Sequence, residues 1–173
     1  MNLNIVKFGD PVLREETEIV DLFDRELLIL IENMFDTMYS SHGIGLAAPQ
    51  IGVSKKIIII DTKEENTPPL ALINPSFMSV GDNKVSMREG CLSFPEIYVD
   101  VTRSEQIEVH AQNPEGNPVE FKADGLLARV VQHELDHLNG VLFVDYLNMI
   151  KKSLISGKLK KLKKESLASA GQA

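Results

Sequence analysis

Residues 130–140, Val130-Val131-Gln132-His133-Glu134-Leu135-Asp136-His137-Leu138-Asn139-Gly140, decide how the rest of this chain is understood. Two histidines four residues apart on a helix share one face, with Cβ atoms roughly 5–6 Å apart, so both imidazoles can close on a single metal ion. Glu134 sits beside that row rather than in it. A carboxylate there can take a proton from a water made acidic by the metal without itself being a ligand. The plain alternative is a polar helix face carrying two solvated histidines. The metal option needs three further things from the chain: another ligand, an oxyanion partner and a pocket.

The flanks supply the frame. Asp124 is placed to cap a helix from Leu126 to about Asn139, and Gly140 ends it. Before it, Glu105 to His110 alternates, Asn113 to Asn117 is a turn, and Val119 to Lys122 returns, which predicts an antiparallel hairpin. Lys56 to Asp61, with isoleucine at 57, 58, 59 and 60, predicts a buried strand, and Leu70 to Val80 is strand-rich around Asn74-Pro75. An amphipathic helix runs from about Asp24, its candidate N-cap, to Ser41, with Gly43 as the stop. Leu147 to Leu167 forms a last helical segment, expected to break or bend near Gly157. Helices and antiparallel strands in separate runs predict an α+β fold: antiparallel or mixed sheets packed around the central H-E-x-x-H helix, with a C-terminal helix.

The chain has 173 residues, enough for one domain with a real core, so a metal is not needed simply to fold it. No apolar run approaches the length of a membrane span. A single cysteine excludes an internal disulfide, and with no secretory leader it points to a reducing, cytoplasmic setting. The net charge of −7 hides a split. From Lys151 onward there are seven lysines and one glutamate, a charge of +6, whereas residues 1–150 hold 11 basic and 24 acidic residues, a charge of −13. The division expected is a catalytic body, 1–147, whose charge repels DNA, and a basic helix or tail, 148–173, that attracts phosphates.

Known H-E-x-x-H enzymes differ in the third ligand. The metzincin pattern requires a histidine where this chain has Phe143, so that family is excluded. A thermolysin-like site takes a glutamate from a later helix, and Glu165, the only acid after Asp145, lies among lysines. Upstream, Glu89-Gly90-Cys91-Leu92-Ser93-Phe94-Pro95 holds the lone cysteine; a lone cysteine is often a small buried hydrophobe, but beside a two-histidine helix its thiol would be deprotonated by a metal. His42 and His110 remain open as ligands. Gly43-Ile44-Gly45-Leu46-Ala47-Ala48-Pro49-Gln50 fits the letters of a dinucleotide fingerprint. It follows a helix instead of a strand, and Pro49 would damage the helix it should open, so a bare loop presenting the Gln50 amide is preferred.

These three segments, Gly43 to Gln50, Glu89 to Ser93 and Gln132 to His137, in that order and spacing, make the chain strongly resemble the peptide deformylase family, at least from Asp10 to Tyr146. The resemblance implies that Cys91, His133 and His137 bind one divalent metal. Ferrous iron is native in most bacterial members, while zinc, nickel or cobalt can occupy the site, and ligand softness alone does not choose. It implies hydrolysis of the formyl group from N-formylmethionyl nascent peptides, releasing formate. Glu134 would act as the base and Gln50 and the Leu92 N–H as oxyanion donors. Gly43, Ile44 and Gly45 would contact the peptide, and Leu126 would line the methionine pocket. The basic tail resembles the C-terminal helix by which bacterial deformylases dock on the ribosome, through lysines at 158, 160, 161, 163 and 164. A solvated, frayed terminus is its plain alternative. Removing residues after Gly157 is expected to lower ribosome binding and spare activity on short peptides. A general metalloprotease and a catalytically silent ribosome-associated protein are the competing functions. Two side chains carry further expectations: Arg129 at the pocket rim, favouring acidic or polar peptide residues, or else a surface arginine paired with a carboxylate; and a Glu89–Arg103 salt bridge behind the cysteine.

Overall fold

Asp24 accepts a hydrogen bond from the Leu27 N–H at 2.9 Å and starts α1 (Arg25–Ser40), as the cap pattern predicts. The computed structural model describes residues 1–170. After α1 come β1 (Gly45–Ala47) and a single 3-10 turn over Ala48–Ile51, which settles the glycine-rich stretch as an edge strand and a turn with no helix behind it. β2 (Ile57–Ile60), β3 (Leu70–Ser79), β6 (Gln106–Gln112) and β7 (Pro118–Asp124) join β1 in a five-stranded antiparallel sheet of order β1-β2-β3-β6-β7.

The run of isoleucines in β2 is explained by its position. Ile57 and Ile59 pack with Met34 and Met38 of α1 on one side, and Ile58 and Ile60 pack with Val131 and Leu135 on the other. A strand covered on both faces loses the polar half of its alternation. The β3–β6 register shifts between Ile73 and Ser76, where Asn74 turns to φ 51° and its side chain bonds both the N–H and the C=O of Val20.

β4 (Lys84–Cys91) and β5 (Phe94–Ser104) form a separate two-stranded antiparallel sheet that the sequence did not announce. β4 is mostly exposed, with only Val85 and Met87 to mark an alternation, whereas β5 alternates, turning Phe94, Ile97, Val99, Val101 and Arg103 inward. The tight turn between them places Cys91 opposite Phe94.

α2 (Gly125–Leu138) carries the two histidines and lays Ala128, Val131, Leu135 and Leu138 into the core of the larger sheet. Asp124 occupies the N-cap position, but its side chain makes no capping bond, so that expectation is corrected. The last helix, α3 (Met149–Ala170), is also corrected: it runs unbroken through Gly157. Glycine costs roughly 1 kcal/mol there relative to alanine. Leu159 and Leu162 are buried with Leu13, Phe94 and Phe143. Each contributes roughly 1.5–3 kcal/mol, which outweighs the glycine.

Candidate active site

α2 is buried on nearly every side because neighbouring stripes of its surface meet different partners. His133 and His137, one turn apart, present rings with centroids 5.2 Å apart. Cys91, at the end of β4, brings Sγ to 3.3 Å from His137 Nε2. One donor atom from each of Cys91, His133 and His137 lies within 4.8 Å of the others. A thiolate and two imidazoles at this spacing fit a tetrahedral transition-metal site with a position left for substrate. Glu89 holds the outer nitrogen of His133, Nδ1, at 2.8 Å, leaving Nε2 for the metal side.

Beside the ligand row stands Glu134, 4% exposed, with Oε2 buried and, among the described residues, without a hydrogen-bond partner. Burial pushes its carboxyl up to about 7, against the pull of His133. Gly45 of β1 faces it so closely that a Cβ there would lie 2.5 Å from Glu134 Oε1 and 2.7 Å from a Val130 methyl. Only glycine fits that approach. Burial disfavours charge on His133, yet its hydrogen bonds to Cys91 and Glu89 hold its pKa well above the usual imidazole value. Burial, reinforced by His133, holds His137 well below it.

Gln50 is fixed by its own turn: Oε1 accepts the Ala47 N–H at 2.8 Å. Its Nε2 therefore points at the cysteine segment, 3.5 Å from Cys91 Sγ and 3.3 Å from Ser93 Oγ. Leu92 occupies the β4–β5 turn, and its carbonyl accepts from Lys7 Nζ at 2.8 Å. A cleft of about 670 Å³ opens over these groups and includes Gly43, Ile44, Gly45, Leu92 and Leu126. Ile44 is 37% exposed at its edge. The structure thus gathers the predicted site residues around one opening, except His137, which adjoins it through Cys91 at 3.3 Å.

The other expectations divide. Glu89 and Arg103 do pair, at 2.6 and 3.0 Å, and hydrogen bonds from His133 and Arg103 overcome burial to bring Glu89 down to about 2. Arg129 lines the cleft and pairs with a carboxylate, as expected, but it is buried and not a surface residue. It is 6% exposed, and its guanidinium bonds Glu89 Oε1 and the Val85 and Val101 carbonyls, so it is not offered to a peptide. His42 lies exposed at φ 57° after α1, and His110 pairs with Glu108 and Glu120 on the larger sheet; neither joins the cysteine. Phe143, the residue that excluded the metzincins, packs edge-on against His133 at 5.7 Å. Sequence reasoning missed Lys7, which has no motif of its own, and gave no separate role to Ser93 and Gln132, although both lie within the motif segments; all three act through backbone or amide contacts.

An α+β body in which a cysteine from β4 meets the two histidines of an H-E-x-x-H helix defines a metallohydrolase. Comparison with known proteins narrows it. Residues 2–153 match the pattern of the family described as polypeptide deformylase. The peptide deformylase of Pseudomonas aeruginosa is 45% identical over 92% of this chain and 95% of its own length. That of Chromohalobacter salexigens is 44% identical over 92% and 94%. The crystal structure of a peptide deformylase from Legionella pneumophila superposes with a TM-score of 0.87 at 41% identity, covering 96% of this chain and 98% of the other. The chain belongs to the polypeptide deformylase family, metal-dependent hydrolases that remove the formyl group from N-terminal formylmethionine.

Proposed function

We propose that Cys91, His133 and His137 hold one divalent ion, ferrous iron in the cell, with zinc, nickel or cobalt able to replace it, and that Glu134 is the proton carrier. The buried, unpartnered Glu134 oxygen beside the donor set carries this assignment. An ion bound there supplies Lewis acidity, which acidifies water and polarises the formyl carbonyl. Glu134 takes a proton from the attacking water as the new bond forms to the formyl carbon. The carbon–nitrogen bond then breaks, and Glu134 gives the proton to the leaving amine, yielding formate and a free amino terminus. Gln50 Nε2, held by its bond to Ala47, and the Leu92 N–H receive the developing oxyanion; losing one such donor costs about 10²–10³ in rate. Gly43, Ile44 and Gly45 meet the peptide backbone along the open edge of β1, and Leu126 lines the methionine pocket.

The basic helix is the second part of the proposal. Every lysine of α3 is exposed while its leucines at 159 and 162 face the core, so the helix offers a cationic surface on a fixed support. That arrangement suits docking on ribosomal RNA in the cytoplasm, with residues 148–173 serving attachment and 1–147 catalysis. Among the described residues no helix is long and apolar enough to cross a membrane.

The decisive assay is anaerobic formate release from a formyl-methionyl peptide by wild type and Glu134→Ala, with metal content measured in both. Retained metal with lost turnover is expected. Undiminished turnover in the variant would remove Glu134 from the mechanism, and cleavage of internal peptide bonds without formate would mark a general protease.

A further inference from the structure

We propose that Arg129 is a positioning residue for the metal centre: it locks Glu89 onto the outer nitrogen of His133 and fixes α2 against the two-stranded sheet that carries Cys91. The inference rests on Cys91, His133 and His137 being the ligands. Those ligands come from two separate elements, so the site can be no better defined than the distance between β4 and α2.

Three side chains spaced i, i+3 and i+7 along α2 set that distance. Arg129 Nη1 donates to Glu89 Oε1 at 2.6 Å and to the Val101 carbonyl at 2.9 Å, and Nη2 donates to the Val85 carbonyl at 2.6 Å. Gln132 exchanges amide hydrogen bonds with the Ser104 backbone at 2.9 and 3.1 Å. Asp136 accepts from Arg103 Nη1 at 2.8 Å. Of the three, Arg129 bonds both β4 and β5 and also touches the carboxylate that orients a ligand.

Charge makes the same point. Glu89 and Asp136 together face Arg103 and Arg129. Arg103 spans the two carboxylates, with Nε and Nη2 on Glu89 at 2.6 and 3.0 Å and Nη1 on Asp136 at 2.8 Å, and the Tyr146 ring lies 5.2 Å from it. Arg129 adds a further bond to Glu89 Oε1 from within α2 itself, so that Glu89 is held from the helix as well as from β5. The planar fork matters, because a lysine ammonium is a point donor and cannot reach the carboxylate and both carbonyls in this geometry.

The test uses cobalt-loaded wild type, Arg129→Met and Arg129→Lys. It compares the half-time of cobalt release to a chelator, the visible cobalt–thiolate absorption bands, and kcat and KM separately. Arg129→Met should release cobalt faster than wild type, by less than the roughly 10–100-fold in affinity lost when the direct partner of a metal-bound histidine is removed, because Arg129 acts through Glu89. Its bands should shift and kcat should fall more than KM rises, with Arg129→Lys intermediate. Wild-type release and bands in Arg129→Met would overturn the proposal, as would a change confined to KM, which is what a mere wall of the cleft would give. The lysine variant keeps the buried charge and so keeps the test decisive if the methionine variant does not fold: release no faster than wild type would then refute it. Failure of wild type to take up cobalt with thiolate bands would refute the ligand assignment itself.

Discussion

α2 and α3 both mix charge with leucine, and they turn the charge in opposite directions. On α2, Arg129, His133, Glu134 and His137 are all buried, and the sheets, the cysteine segment and Gly45 close around them. On α3 every lysine faces outward, while Leu159 and Leu162 face in. A buried charge must find a specific partner or change its protonation, so α2 ties Arg129 and Gln132 to particular neighbours and shifts the carboxyl of Glu134 upward. An exposed lysine keeps its water, so α3 constrains the leucine stripe and leaves the identity of each cation free. The proposed functions divide the same way, with chemistry assigned to the inward charges and attachment to the outward ones.

The sharpest way to break this contrast is Glu134→Gln. Its formate release should fall by about 10²–10⁴, the usual worth of a positioned acid–base group, while thermal unfolding stays level or moves upward because a buried carboxylate has gone. A variant that keeps turnover would show that the inward charge of α2 is structural.

Next in size is Leu162→Ala, which should cost about 2–5 kcal/mol in urea unfolding through the cavity it leaves beside Phe94 and Phe143. By the same argument, removing residues after Gly157 should not spare activity as the sequence alone suggested, because it strips Leu159 and Leu162 from a core cluster shared with Phe94. A truncated protein as stable as the full chain would make α3 a mere appendage.

Replacing Lys160, Lys161 and Lys164 with glutamine should leave short-peptide turnover and stability unchanged. Ribosome binding should weaken, and its salt dependence should flatten by roughly 0.7–0.9 in log–log slope for each phosphate no longer neutralised. Unaltered ribosome binding in a sedimentation assay would leave the outward charge without a role.

The smallest effect lies at the junction of the two helices. Burial opposes the charge of Asp145, but its hydrogen bonds from Arg14 and the Leu142 N–H hold its carboxyl below the usual value. A depressed folded-state pKa adds stability above the unfolded value of about 3.9 and loses it as pH falls through the folded one. Asp145→Asn should therefore flatten the acid limb of a urea-midpoint profile, and only slightly, since Arg14 and Asp145 are both partly exposed.

Much of the site was legible because its chemistry needs rare residue types at fixed spacing. His133, Glu134 and His137 sit on one helix, and Cys91 is the only thiol in the chain. The cap of α1, the apolar run of β2 and the alternation of the β6–β7 hairpin are local signals, and the structure reproduces them. What escaped was long-range. β4 has little apolar pattern because most of it is solvated, and its pairing with β5 is satisfied by backbone. Arg129 reads as a surface residue until the Val85 and Val101 carbonyls, far away in sequence, are brought to it. Gly157 suggested a break because propensity is local, whereas the buried leucines that override it depend on Leu13 and Phe143.

The packing of α3 also imposes an order of events on synthesis. Leu159 and Leu162 close the cluster that holds Phe94 and Phe143, Ser166 Oγ donates to the Lys7 carbonyl, and Lys163 presses against Gly9. The region that seats the cysteine turn is thus completed by residues translated after the catalytic helix. A growing copy of this enzyme can build its larger sheet early, but it can finish its active-site wall only once α3 has emerged to meet the start of the chain.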